Sequence, residues 1–125
     1  MKLSDLITDK ELEENGVWVP FDSGMRVKVC RLRNARAQEF LRRNKLAMRD
    51  TSTEEGKALF CTMIATAVLV DWDGLVDDDG AAIPYTPAKA VEVFKLSPDF
   101  LNEVIELASQ RELFHQEDAK ESAKN

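Results

Sequence analysis

Three features of the chain predict an α+β fold, mostly helical, with an N-terminal β-hairpin packed on a small helical bundle. Apolar residues alternate with a period of two on either side of Asp22-Ser23-Gly24. From Asn34 onward they recur at helical spacing. Ala58 to Val70 is apolar almost all round, so it reads as the central helix, contacted on several sides.

Taken in order, residues 1–15 are polar with scattered leucines, and a short helix is expected around Asp9 to Glu14. Val17, Val19 and Phe21 then share one face of a strand that Pro20 assigns to a sheet edge. Asp22-Ser23-Gly24 makes the hairpin loop, with glycine supplying a positive φ. The second strand, Met25 to Arg33, changes phase: Val27 and Val29 lie on one face, Cys30 and Leu32 on the other. Either this strand carries a bulge or both of its faces are covered near its end.

Asn34 is the expected N-cap of a helix whose stripe is Ala37, Phe40, Leu41, Asn44 and Met48. Thr51 with Glu54, or Ser52 with Glu55, offers a capping box for the helix running to Val70. Asp71 and Asp73 are then expected to end that helix in a turn with Gly74, and Asp78-Asp79-Gly80 to form a second tight turn. Thr86-Pro87 and Ser97-Pro98 each start a helix, the last carrying Leu101, Val104, Ile105 and Ala108 and fading near His115.

The 125 residues suit one domain, expected to span 1–115, with 116–125 as a polar, disordered tail. With 44% hydrophobic and 32% charged residues the composition is that of a globular chain. The Ala58–Val70 run is shorter than the ~20 residues needed to cross a bilayer, and the N-terminus lacks the apolar block of a signal peptide. No membrane association is expected. Cys30 and Cys61 fit no metal or redox spacing and read as buried thiols.

A formal net charge of -6 conceals a basic segment, Arg26 to Arg49, in which Glu39 is the single acid. Its charges are either paired within the domain or mark a surface for an anionic partner. Nucleic-acid binding is disfavoured, because the pI is about 4.8 and no aromatics interleave with the arginines. The aspartates of 71–79 invite a calcium reading, but neither EF-hand register places oxygen at position five and glycine at six, and no glutamate closes the loop. Lone histidine His115, the absence of a nucleophile motif and the lack of a phosphate-cradling glycine loop argue against an enzyme. No metal, cofactor or catalytic residue is expected.

Several stretches occur together in an order that resembles the tail assembly chaperones of long-tailed bacteriophages and their prophage relatives. They are Glu14-Asn15-Gly16-Val17-Trp18-Val19, the basic strand Arg26 to Asn34, and Phe40-Leu41-Arg42-Arg43. Val68-Leu69-Val70-Asp71-Trp72-Asp73-Gly74-Leu75 follows, with Asp78-Asp79-Gly80, Ile83-Pro84-Tyr85-Thr86 and the ending Asp99-Phe100 through Ala108. The signature loop comprises Asp71, Trp72, Asp73, Gly74, Asp78, Gly80, Pro84 and Tyr85. Lys45-Leu46-Ala47 departs from the pattern, since relatives often place a proline after the Leu-Arg-Arg segment.

The resemblance implies a non-enzymatic chaperone in the host bacterial cytoplasm, absent from the mature virion. It would hold the tape measure protein soluble and help the major tail tube protein polymerise around it. A frameshifted longer form of the chain is a further expected partner, since Ala123-Lys124-Asn125 can be encoded across a slippery A-AAA-AAC run. Candidate partner-binding residues are Trp18, Arg31, Arg33, Arg42, Arg43 and Trp72, combining charge for steering with aromatics for anchoring. The alternatives are a small nucleic-acid-binding regulator using Arg31–Arg49, and a divalent-cation-responsive module using the aspartate loop.

Overall fold

In the computed structural model, which describes residues 1–115, three antiparallel strands and five helices enclose one apolar core. The expectation for 116–125 lies outside the described residues. β1 (Val17–Pro20) and β2 (Arg26–Val29) form the hairpin, Val17 opposite Val29 and Pro20 opposite Arg26. Its loop closes with Phe21 N–H donating to the Met25 carbonyl at 2.7 Å, and both Ser23 (φ 59°) and Gly24 (φ 82°) are left-handed. Pro20 does sit on an edge strand, where its missing N–H costs no ladder bond.

The other edge of β2 is covered by β3 (Leu69–Asp73), giving the order β1-β2-β3. This corrects the expectation of a helix to Val70 ending in a turn at Asp71. A short apolar run has no period to separate helix from strand, and here the unpaired edge of β2 decides in favour of strand. The phase change at Val29 and Cys30 comes from coverage of both faces, not from a bulge in β2 itself. Val29 and Cys30 are fully buried on opposite faces. The bulge lies in β3, where Lys28 pairs with Asp71 but Val29 with Leu69, leaving Val70 as the extra residue.

Helix α1 (Lys10–Asn15), capped by Asp9, precedes the sheet, and α2 (Ala35–Arg43) follows it. Within the α2 stripe, Ala37 and Met48 are buried and Phe40 and Asn44 half-buried, but Leu41 is exposed. α2 stops at Arg43, and Lys45-Leu46-Ala47 lies in turns. α3 (Glu54–Met63) starts from Thr53, whose hydroxyl accepts the Gly56 N–H at 2.9 Å. The expected caps, Thr51 and Ser52, are displaced because Asp50 engages Ser52 through its N–H and hydroxyl.

α3 does not run on to Val70. It widens into a single π turn, Ile64–Val68, in which the Leu69 N–H reaches back to the Ile64 carbonyl, and the chain leaves as β3. A helix end buried like this must find donors for its freed carbonyls. Asn34 Nδ2 serves Ala67 at 2.6 Å, Cys30 N–H serves Val68 at 2.8 Å, and the Tyr85 hydroxyl reaches Leu69 at 2.7 Å and also Ala65.

Asn34 is thus more than a cap. Only 3% exposed, it accepts the Ala37 N–H on Oδ1 at 3.0 Å and also donates from Nδ2 to the Arg31 carbonyl at 2.8 Å. One carboxamide therefore starts α2, fixes the β2–α2 corner and holds the end of the central helix.

α4 (Pro87–Leu96) and α5 (Pro98–Ser109) begin where expected, with Thr86 and Ser97 accepting the N–H groups of Lys89 and Phe100. Phe100, Val104 and Ala108 turn α5 onto the core. Beyond it the chain does not simply fade, because a 3-10 turn, Arg111–Phe114, inserts Phe114 completely into the interior. The Phe114 carbonyl accepts the Asp9 N–H at 2.9 Å, tying this 3-10 turn to the start of α1.

Asn34→Asp isolates the role of the amide. Aspartate caps helices as well as asparagine does, yet here its second oxygen would face the Arg31 and Ala67 carbonyls. The substitution is expected to cost about 3 kcal/mol in urea unfolding, the scale of a buried charge left without a donor. A change within about 0.5 kcal/mol, the range of an ordinary surface substitution, would reduce Asn34 to a simple cap.

Candidate functional site

Directly opposed residues in an antiparallel sheet share a face, so the register sorts the signature residues. Val19, Val27 and Trp72 form an inward row and all are buried. Trp18, Lys28 and Asp71 form an outward row, with Pro20, Arg26 and Asp73 beside it. Trp18 and Trp72 therefore lie on opposite faces of the sheet and cannot act as a joint anchor. Trp18 is half-buried with the Arg26 guanidinium 4.9 Å from its ring centre, while Trp72 is 5% exposed. A partner-anchoring role for Trp72 does not fit that burial.

Trp72 instead locks the loop that follows it. Its indole N–H donates to the Ile83 carbonyl at 2.7 Å, and its ring meets Tyr85 edge-on at 5.1 Å. Such an aromatic pair adds about 1 kcal/mol beyond its buried area. Between these anchors the chain makes a small hairpin. Ile83 N–H donates to the Leu75 carbonyl at 2.8 Å, and Val76 bridges Ala82.

At the hairpin tip Asp77 is the structural carboxylate, accepting the N–H groups of Asp79 and Ala81 at 2.9 Å. The turn is Asp77 to Gly80, one residue earlier than expected; Gly80 has φ 85° and Asp78 is exposed. Gly74 has φ 87°, and a Cβ there would lie 2.8 Å from the Gly24 carbonyl oxygen, so no larger residue fits without movement. Pro84 is exposed and bends the chain between the two partners of Trp72, the Ile83 carbonyl and the Tyr85 ring.

Tyr85 places its single hydroxyl proton between the Ala65 and Leu69 carbonyls. Burial, reinforced by the charge of Asp71 and by Cys30, pushes this phenol up to about 12.

Three arginines of the basic segment, Arg31, Arg42 and Arg43, pair with carboxylates. Arg31 lies 3.7 Å from Glu13 and over the Phe114 ring at 5.6 Å. Arg42 and Arg43 both grip Glu39, with contacts of 2.6 and 3.0 Å, and their hydrogen bonds hold that carboxyl at about 2. Glu14 accepts the Ala35 N–H at 2.9 Å, and its carbonyl takes Arg36 at 2.8 Å. Arg31, Arg33 and Arg42 do share a polar cleft of about 670 Å³ between α1 and α2, but Glu13, Glu14 and Glu39 line it too. Arg43 and both tryptophans lie outside it. With Lys10 the cleft sets four cations against three carboxylates, and that near-cancellation weakens it as a phosphate-binding surface.

A different surface is not marked by any motif in the sequence. Between α3, the end of α4 and the start of α5 opens an apolar groove of about 560 Å³, floored by Phe60, Cys61, Phe94 and Leu101 and edged by Lys57 and Lys95. Glu54, Lys57, Ala58 and Cys61 recur at three- and four-residue spacing, so one whole side of α3 forms its wall. That mixed row of two charged and two small residues is the available signal, masked by the apolar run that begins at Ala58. Burial raises the Cys61 thiol, and the nearby Lys95 charge partly offsets this.

Among the described residues no three of His, Cys, Asp and Glu gather as a metal-ligand set, and no helix is long and apolar enough to cross a membrane. Fold and surface together define a small α+β protein whose aromatic loop is built into its core and whose helical side carries an open apolar groove. The sequence pattern described as YdaY prophage protein matches residues 26–125, and the chain belongs to that family. It is a prophage protein. No curated protein and no solved structure matches the chain.

Tyr85 is the chain's sole tyrosine, so its ionisation can be followed without interference from another phenol. Absorbance near 295 nm should titrate at about 12 in the folded protein and near 10 in urea. Because the folded value is raised, its contribution to stability is complete below about pH 10 and lost as pH rises towards the folded value. Tyr85→Phe should remove that alkaline loss and cost about 1–3 kcal/mol at neutral pH through the orphaned carbonyls. A folded-state midpoint equal to that in urea would contradict the buried hydroxyl.

Proposed function

We propose that this prophage protein is a non-enzymatic tail assembly chaperone. It binds the tape measure protein in the host cytoplasm, promotes polymerisation of the major tail tube protein around it, and is left out of the virion. The observation that carries the reading is the open apolar groove on an otherwise strongly charged protein. A long tape measure presents apolar helical stripes until tube protein covers them, and a groove of this kind can shield such a stripe reversibly. Membership of a prophage family is consistent with the role. So is the resemblance in the stretches that build the sheet and the aromatic loop.

Under this reading the signature loop serves architecture. Its aspartates, tryptophan and tyrosine hold β3 and the helix end, and the partner surface lies elsewhere. A frameshifted longer product would extend the chain beyond Asn125 with the same domain at its start.

Co-expression with the tape measure protein of the same prophage tests the function. The soluble fraction of tape measure should rise severalfold and the two should co-purify; tape measure equally insoluble with and without the protein would refute the proposal. The frameshift is checked by reading the gene, where codons for Ala123-Lys124-Asn125 that interrupt the A-AAA-AAC run would remove it.

A further inference from the structure

We infer that the groove between α3, α4 and α5 takes an amphipathic helix whose apolar row is flanked by carboxylates. The identity of that helix as part of the tape measure protein rests on the chaperone reading; its chemistry rests on the groove alone. The walls are helices, with no strand in the lining. An extended occupant would find no sheet edge for its peptide groups, whereas a helix satisfies its own. The row Glu54, Lys57, Ala58 and Cys61 runs about 10 Å along α3 at 1.5 Å per residue. That length matches about two turns of a partner helix.

Charge selects among helices. Lys57 and Lys95 edge the apolar floor, and among the described residues neither forms an ion pair with an acid. Glu54 also lines the groove, so two lysines against one carboxylate leave the rim net basic in a chain of formal net charge -6. Carboxylates flanking the partner's apolar row would be steered to these lysines, and lysines there would be repelled.

The test uses two fluorescent peptides of about 15 residues, the length at which isolated helices become marginally stable. They share one leucine row and differ only in glutamate or lysine flanks. The glutamate peptide should bind the full chain about tenfold more tightly than the lysine peptide and slow alkylation of Cys61, with Cys30 buried as the internal control. Lys57→Glu with Lys95→Glu should invert the preference. Ala58→Trp, at an exposed position on the groove wall, should abolish binding while leaving the circular dichroism spectrum and urea midpoint unchanged. Equal affinity for both peptides, or full binding by folded Ala58→Trp, overturns the inference.

Tape measure solubilisation by the same variants separates the two proposals. If Ala58→Trp loses the peptide but still keeps tape measure soluble, the chaperone reading stands and the groove is not its site. If the wild type binds the glutamate peptide but fails to solubilise tape measure, the groove chemistry stands and the chaperone reading falls.

Discussion

The Asn34 carboxamide sits where three segments meet: the exit of β2, the first turn of α2 and the end of the central helix. Its oxygen accepts from α2, and its nitrogen donates to the Arg31 and Ala67 carbonyls. Without the second of these bonds, the Ala67 carbonyl would lose its side-chain donor inside the protein. The π turn at Ile64–Val68 frees carbonyls that an unbroken helix would satisfy, and the fold answers with Asn34, the Cys30 amide and the Tyr85 hydroxyl. The conversion of α3 into β3 therefore depends on donors drawn from sequence positions well before and after it.

That dependence explains what was legible in the sequence and what was not. The starts of α4 and α5 were readable because a threonine or serine cap followed by proline is a local signal. The hairpin was readable because its period and its glycine turn are local as well. β3 was not, since Val68-Leu69-Val70 is equally apolar as helix or strand and its partner, β2, lies some forty residues away. The α3 cap was misplaced because Asp50 draws Ser52 into its own turn and leaves the role to Thr53. Phe114 was overlooked because a single aromatic in a polar ending carries no period.

For the candidate site the decisive information was which face each residue takes. Trp18 and Trp72 look alike in sequence, yet cross-strand register puts one outward beside Arg26 and the other inward beside Tyr85. The charge split between the basic segment and the acidic remainder becomes local complementarity. Asp71 and Asp73 stand opposite Lys28 and Arg26, Glu13 lies beside Arg31, and Glu39 pairs with Arg42 and Arg43. The apolar groove lies on the helical side, where three helices meet in a relation that no single stretch of sequence encodes.

Backbone hydrogen exchange of the chain, alone and with the tape measure protein of its prophage, measures this division most directly. In the complex exchange should slow over residues 54–61 and 94–101, with the sheet and residues 31–49 unchanged. Slowing confined to residues 31–49, or no complex at all, would contradict it.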